Sequence, residues 1–267
     1  MELWLEQGAV QCWDPKLVVV EASSGEIIEK ATRSSDKRFV GAPSMTAICH
    51  ALEKSLTGSV RVLQGHQVDS IAFDQENKTF QVSFKQADHR GLLEFDKLLI
   101  TTPPAQALSM LSSSLIETDP LKDILSSVEM DPCWALGIKC RVPLCNFDAA
   151  FVHGLSCIEW IAKNSSKPGR YVKDPLEEHW VIHCRADWTR ENFDEDHDKV
   201  TLSILEELSR ILKTRVQTKM CDKTLFRWKY AKAQNPLAAL YLKHASLPLF
   251  ICGDWVSTSP HRSLLTL

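Results

Sequence analysis

Hydrophobic positions along this chain fall into short unbroken runs, loosely alternating stretches and one long helical stripe. Leu249-Phe250-Ile251-Cys252 is apolar without alternation and stops at Gly253-Asp254. Such a run predicts a strand buried on both faces, with a short helical segment as its competitor. Lys97 to Pro104 repeats the layout, Leu98-Leu99-Ile100 being followed by Thr101-Thr102-Pro103. The two strands are expected to lie side by side in one parallel sheet. Ligands of open α/β sheets sit outside the carboxyl ends of the strands. A carboxylate at that end, such as Asp254, can accept hydrogen bonds from sugar or polyol hydroxyls. The plainer alternative makes Gly253-Asp254 a turn after a core strand.

The remaining elements follow from the same patterns. Leu17 to Val20 is an opening strand, followed by a Ser-Ser-Gly turn and a polar linker up to residue 38. Met45, Ile48, Leu52 and Leu56 recur at helical spacing, with Ser44 as a cap and Gly58 beyond the end. Val60 to Leu63 reads as short and extended. Val68–Phe73, Thr79–Phe84 and Leu92–Phe95 alternate between turn-rich segments and predict a three-stranded meander. Two helices are expected within 104–130, the second starting at Asp119-Pro120. Trp134–Val142, Cys157–Ala162, His179–Ala186 and Leu225–Tyr230 read as antiparallel strands with aromatic positions. An amphipathic helix carries Val200, Ile204, Leu208, Ile211 and Leu212 on one stripe. Asp194, Glu195, Asp196 and Asp198 crowd its first turn, where the helix macrodipole favours negative charge, so they read as helix chemistry.

These elements predict four segments. Residues 1–38 form an opening strand region with a linker, and 39–112 form part of a parallel-sheet domain. Residues 113–245 form an antiparallel domain, and 246–267 return to the first.

Composition narrows the function classes. The chain has 267 residues, 44% hydrophobic and 24% charged, with a net charge of −3. That is ordinary globular composition, and nothing in it favours nucleic acid or an acidic membrane. The basic residues from Lys163 to Arg170 read as a solvated turn. No apolar run is long enough to span a bilayer, and Met1 to Trp4 lacks the features of a signal peptide, so a cytoplasmic location is expected. Nine cysteines, with no Cys-x-x-Cys pair, predict reduced buried thiols. His179 and His183 would share a face of a strand but lie roughly 13 Å apart. A single zinc ion, about 2 Å from each ligand nitrogen, does not bridge that gap.

No Gly-x-Gly-x-x-Gly, Walker loop or Gly-x-Ser-x-Gly elbow occurs, and no activated nucleophile or paired acid and base is evident. A chain this poor in reactive side chains is either non-catalytic or leaves the chemistry to a cofactor.

Several short motifs in order resemble the later three-quarters of a renalase-type flavoprotein, in the wider FAD-dependent amine oxidase superfamily. They are Phe39-Val40-Gly41-Ala42-Pro43-Ser44-Met45, the Lys97–Pro104 strand, Pro132-Cys133-Trp134-Ala135-Leu136, Trp160 to Arg170, Arg227-Trp228-Lys229-Tyr230-Ala231 and Cys252-Gly253-Asp254-Trp255. The resemblance implies α/β plus α+β architecture. An incomplete FAD/NAD(P)-binding domain of the two-dinucleotide-binding type would be interrupted by an antiparallel-sheet substrate domain. It implies FAD as cofactor and a small-molecule substrate, a dihydro isomer of NAD(P)H or an amine-like compound. Dioxygen would be the acceptor and hydrogen peroxide the product.

Mapped by residue, Val68 matches the position whose backbone meets the adenine side of FAD. Thr101, Thr102 and Pro103 match the strand end beside the dinucleotide. Gly253 and Asp254 match the pair that holds the ribityl and pyrophosphate region, Asp254 as a buried acceptor. Trp160, His183 and Trp228 match substrate-domain strands facing the flavin ring, the alternative for each being a plain core position.

The family's opening strand, Gly-rich phosphate loop and helix do not occur in this sequence. The helix expected after Gly253-Asp254 reads differently at Ser257 to Arg262. The chain therefore reads as a fragment of an FAD-dependent oxidoreductase, inactive alone and retaining little flavin. A cofactor-free remnant serving as a structural or interaction module is the alternative.

Overall fold

A computed structural model describes residues 2–30, 37–56, 58–114, 116–117, 119–172, 174, 176–216 and 221–257. In chain order, the first stretch carries α1 (Glu2–Glu6), β1 (Val10–Trp13), β2 (Leu17–Glu21), β3 (Ile27–Lys30), β4 (Arg38–Gly41) and α2 (Ala47–Ser55). There follow β5 (Gln67–Asp74), β6 (Thr79–Gln86), β7 (His89–Phe95), β8 (Leu98–Ile100), α3 (Pro104–Ser112) and α4 (Asp119–Ser127). Next come β9 (Met130–Cys140), β10 (Ala149–His153), β11 (Ile158–Lys163), β12 (Glu178–Cys184), α5 (Ala186–Glu191) and α6 (His197–Leu212). The chain closes with β13 (Cys221–Ala233), β14 (Leu242–Lys243) and β15 (Leu249–Ile251).

The chain divides into two compact units, residues 1–61 with 132–229 and residues 62–131 with 230–267. These divisions differ from the segment boundaries read from the sequence at 38/39, 112/113 and 245/246. The β1–β4 ribbon pairs residues 10–13 with 38–41, so the stretch after the linker joins the first unit. The helices α3 and α4 share a core with β8 and β15, so both belong to the second.

The first unit holds a seven-stranded sheet in the order β13-β9-β12-β11-β10-β2-β3. It is not purely antiparallel as expected: β10 runs parallel to β2, pairing Ala149 with Leu17 through His153 with Glu21. One face packs on α6, whose Val200, Ile204, Leu208 and Ile211 meet Trp134, Leu136, Trp180 and Ile182. Each such buried aliphatic side chain contributes roughly 1.5–3 kcal/mol. Asp196 caps α6, its carboxylate accepting from the backbone N–H of Asp198 and Lys199 at 2.9 and 3.2 Å. The acidic cluster is helix chemistry there, since Glu195 also pairs with Lys199. The other face carries a smaller cluster of Trp13, Leu17, Val40, Ala149, Trp160 and Ala162.

In the second unit, β5-β6-β7 form the expected meander, antiparallel throughout with one bulge between Val68 and Ser70. A three-stranded sheet, β14-β15-β8, packs Ile100, Leu249 and Ile251 against Ala107 and Leu111 of α3 and Leu121 and Leu125 of α4. His244 is buried beside it, its Nδ1 accepting from the backbone N–H of Ser246 and Leu247. Those bonds leave Nε2 as the donor to the Glu117 carbonyl.

Three local expectations are corrected. Val60 to Leu63 forms no strand, and its large side chains are exposed. The stripe of α2 is not core, because Leu52 and Leu56 are each 46% exposed and Ala51 is the residue that packs inward. Strand β8 is buried on one face only, Leu99 being 57% exposed. The eight described cysteines with placed side chains form no disulfide. No helix among the described residues is long and apolar enough to cross a membrane.

Candidate functional site

Strands β8 and β15 run parallel in register, Leu98 beside Leu249 and Ile100 beside Ile251. Their carboxyl ends therefore emerge together. Beyond them the Cys252 N–H donates to the Ile100 carbonyl at 3.0 Å, and the Trp255 indole donates to the Thr102 carbonyl at 3.2 Å. Gly253 is needed for this closure. A Cβ there would lie 2.7 Å from Cδ1 of the fully buried Trp255 ring, so the space over the glycine is filled by indole.

Among the described residues, two polar groups are notable at this end. The Thr102 hydroxyl is buried with no hydrogen-bond partner among the described residues. Asp254 is exposed, a correction to the expected buried acceptor, because the turn into Trp255 sends the indole inward and the carboxylate out. Thr101 is exposed too, and Pro103 directly precedes the first turn of α3. Val68 lies elsewhere in this unit, 43% exposed at the start of β5 opposite Phe84, just before a bulge. A buried hydroxyl lacking a partner among the described residues, an exposed carboxylate and converging parallel strand ends fit the polar edge of a dinucleotide.

In the first unit, Trp160 of β11 lies directly across from His183 of β12, and His183 directly across from Ala135 of β9. All three point away from α6, because Ile182 and Cys184 occupy the α6 side. On β13, Arg227 reaches the α6 side, donating to the Phe193 carbonyl at 2.9 Å and lying over the Trp134 ring. Strand alternation then places Phe226 and Trp228 on the face of His183. Their rings are stacked with centroids 6.4 Å apart, and both are at least half exposed. The three residues Trp160, His183 and Trp228 thus share one sheet face. They differ in exposure: Trp160 is packed against Phe151 and the small cluster, whereas Trp228 is open. Ala135 and Gly137 make a low floor between β12 and β13.

The loop after β11 departs from its reading as a solvated turn. Lys163 pairs with the buried Glu178, whose other oxygen accepts from the Trp180 indole and the Leu144 N–H at 2.9 and 3.0 Å. Ser166 accepts from the Trp13 indole at 3.2 Å, and the Lys167 ammonium lies 5.3 Å above the Trp13 ring centre. Burial and the neighbouring Arg170 push the Lys167 ammonium down to about 8. Burial, with Lys167 next, pushes the His183 imidazole down to about 4, so it is neutral at pH 7. Arg170 is lowered by burial, and its Nη1 is buried without a partner among the described residues. The only trace of this group in the sequence is the Lys-Pro-Gly-Arg turn following a strand. His179, which shares the strand of His183, is instead bound to Glu177 at 2.8 Å, which also pairs with Lys139.

No family model matches the chain. Its structure is similar to a putative protoporphyrinogen oxidase from Exiguobacterium sp. 255-15, with a TM-score of 0.61 and 12% identity over 87% of this chain and 51% of the other. It is similar to an oxidoreductase from Methanosarcina mazei, with a TM-score of 0.59 and 12% identity over 85% and 52%. A third similarity is to p-nitrophenol 4-monooxygenase PnpA from Pseudomonas putida DLL-E4, with a TM-score of 0.55 and 13% identity over 96% and 61%. The chain spans about half the length of the first two. At such identities what is shared is the fold, matched in part.

Proposed function

We propose that the chain is the substrate-side and strand-end portion of a flavin-dependent oxidoreductase of the amine oxidase type. The observation that carries this reading is the in-register parallel pair β8–β15, which brings to one end the Thr102 hydroxyl, without a partner among the described residues, and the exposed Asp254 carboxylate. In this reading Thr101, Thr102, Pro103, Gly253 and Asp254 line FAD, with Asp254 accepting from its hydroxyls, and Val68 meets the adenine side. FAD held there would supply the redox chemistry, as acceptor of a hydride from substrate and donor of electrons to dioxygen, with hydrogen peroxide as the product. Within the first unit, the open Phe226–Trp228 stack offers an apolar surface to a flat ring. The uncharged His183 offers one donor and one acceptor without adding charge beside it. A dihydronicotinamide isomer suits such a face, an amine-like substrate being the other candidate.

The test is a titration of FAD into the purified chain, reading quenching of flavin fluorescence. The isolated chain carries no Gly-rich loop, so saturation is expected to be weak, with little flavin surviving purification. Asp254→Ala should weaken binding by about 0.5–1.5 kcal/mol, the net contribution of a typical hydrogen bond. A linear, unsaturable response in both proteins overturns the assignment.

A further inference from the structure

Two cations and an imidazole sit together in the first unit with no acidic partner among the described residues. His183 lies across from Trp160, which clusters with the Trp13 ring beneath the Lys167 ammonium. The charge of Arg170 disfavours that ammonium, and its own charge disfavours a protonated His183. Like charges gathered in a partly desolvated spot cost stability unless an anion joins them. A solvated loop has an easy escape from that cost, since long side chains can swing into water. Here that escape is blocked. Lys167 is held over the Trp13 ring, and Trp13 is anchored to the same loop through Ser166. The loop is a tight turn, with Lys167 N–H donating to the Asn164 carbonyl and Arg170 N–H to that of Lys167. Gly169 takes φ +72°, and a Cβ there would meet the Pro43 Cα at 3.1 Å, so the turn packs closely on Pro43.

The second sign is the Arg170 Nη1, which is buried yet donates to nothing described. A guanidinium nitrogen in that state lacks an acceptor, and an oxygen from a ligand is what it matches. His183 adds a neutral donor on the adjoining strand. Two fixed positive charges favour a dianion over a single carboxylate.

We propose that Lys167, Arg170 and His183 form a receptor for a phosphate-type dianion, a phosphate monoester or a pyrophosphate, carried by a small molecule. Arg170 supplies a planar fork, Lys167 a point charge steadied by Trp13, and His183 a neutral hydrogen bond. The site needs no flavin and stands whether or not the oxidoreductase reading does.

The experiment titrates inorganic phosphate, inorganic pyrophosphate and, separately, acetate into the full chain without FAD. Calorimetry gives the affinity and NMR follows the His183 ring protons. Saturable binding of phosphate or pyrophosphate is expected, with the His183 titration midpoint moving upward because an anion favours the imidazolium. The tighter of the two identifies a monoester or a pyrophosphate source. Lys167→Met and Arg170→Leu should each weaken binding by about tenfold or more, the scale of one charge-assisted contact. Lys167→Arg should restore most of it, and Lys199→Met, on the exposed side of α6, should bind as the parent does. An unmoved His183 signal at millimolar phosphate and pyrophosphate overturns the proposal without any variant. So does acetate binding as tightly as phosphate, or equal affinity in the parent and both charge-removing variants.

Discussion

The indole N–H of Trp255 donates to the main-chain carbonyl of Thr102, 3.2 Å away and 153 positions earlier in the sequence. This bond ties together the two strand ends that form the candidate cofactor wall, and the indole lies where a side chain at 253 would go. Gly253→Ala should force the ring or the turn aside, at a cost of about 1–3 kcal/mol. Trp255→Ala should cost about 3–5 kcal/mol. Urea unfolding followed by circular dichroism checks both, and an unshifted midpoint for Trp255→Ala contradicts the packing described.

Glu178 is buried, and its two oxygens serve Lys163, the Trp180 indole and the Leu144 N–H. Removing the carboxylate by Glu178→Ala leaves an ammonium and two donors without their acceptor. The expected loss is about 3–5 kcal/mol, characteristic of breaking a buried pair from one side. Loss of the melting transition at 37 °C, or its survival, is read directly by differential scanning calorimetry.

Acid should act through His183. Its folded value of about 4 lies below the ordinary 6.5 because burial and then Lys167 oppose the charged ring. Between those values the unfolded chain binds the extra proton, so this group's contribution to stability falls as pH drops from about 6.5 to about 4. The loss is on the order of 2–3 kcal/mol and should disappear in His183→Gln. Unfolding free energies at pH 7, 5.5 and 4.5 for the two proteins provide the comparison, and parallel pH profiles contradict it.

Lys167 gives the opposite end of the pH range. Its folded value, pushed down to about 8 by burial and Arg170, lies below the ordinary 10.5. The unfolded chain holds the proton longer, so this contribution to stability increases as pH rises from about 8 to about 10.5. Arg170 and His183 face the same group, but Arg170 stays charged and His183 neutral across that window. Phosphate should bind less tightly as Lys167 loses its proton, and Lys167→Met should flatten both trends. Thermal unfolding at pH 7.5, 9 and 10 checks them.

Much of the architecture was legible wherever one strong periodicity decided the matter. The stripe of α6, the meander β5–β7 and the paired apolar runs at Leu98 and Leu249 each carry their own signal and each form the expected element. What stayed hidden depended on remote partners. Strand β10, Ala149 to His153, is weakly marked, and its parallel neighbour β2 lies about 130 residues earlier, so nothing local announces the pairing. The four-residue ribbon strands β1 and β4 are similarly silent, being specified mainly by each other. Leu52 and Leu56 show the converse failure, a clean helical stripe that finds no core.

The candidate site divides the same way. Trp160, His183 and Trp228 share a face because strand alternation, a local rule, placed them there. Lys167 and Arg170 read as a solvated turn because charges in a Ser-Lys-Pro-Gly-Arg loop resemble any surface turn. Only the tertiary placement of Trp13, brought in from far upstream, turns that loop into a confined basic group.

The interleaved make-up of the two units has a consequence for synthesis and for dissection. Each unit needs chain from both sides of the other: residues 1–61 wait for 132–229, and 62–131 wait for 230 onward. A ribosome that has released only the first half therefore exposes two unfinished cores at once, with β2 lacking β10 and β8 lacking β15. No single cut yields either unit intact, so excising one demands a joined, two-piece gene rather than a truncation.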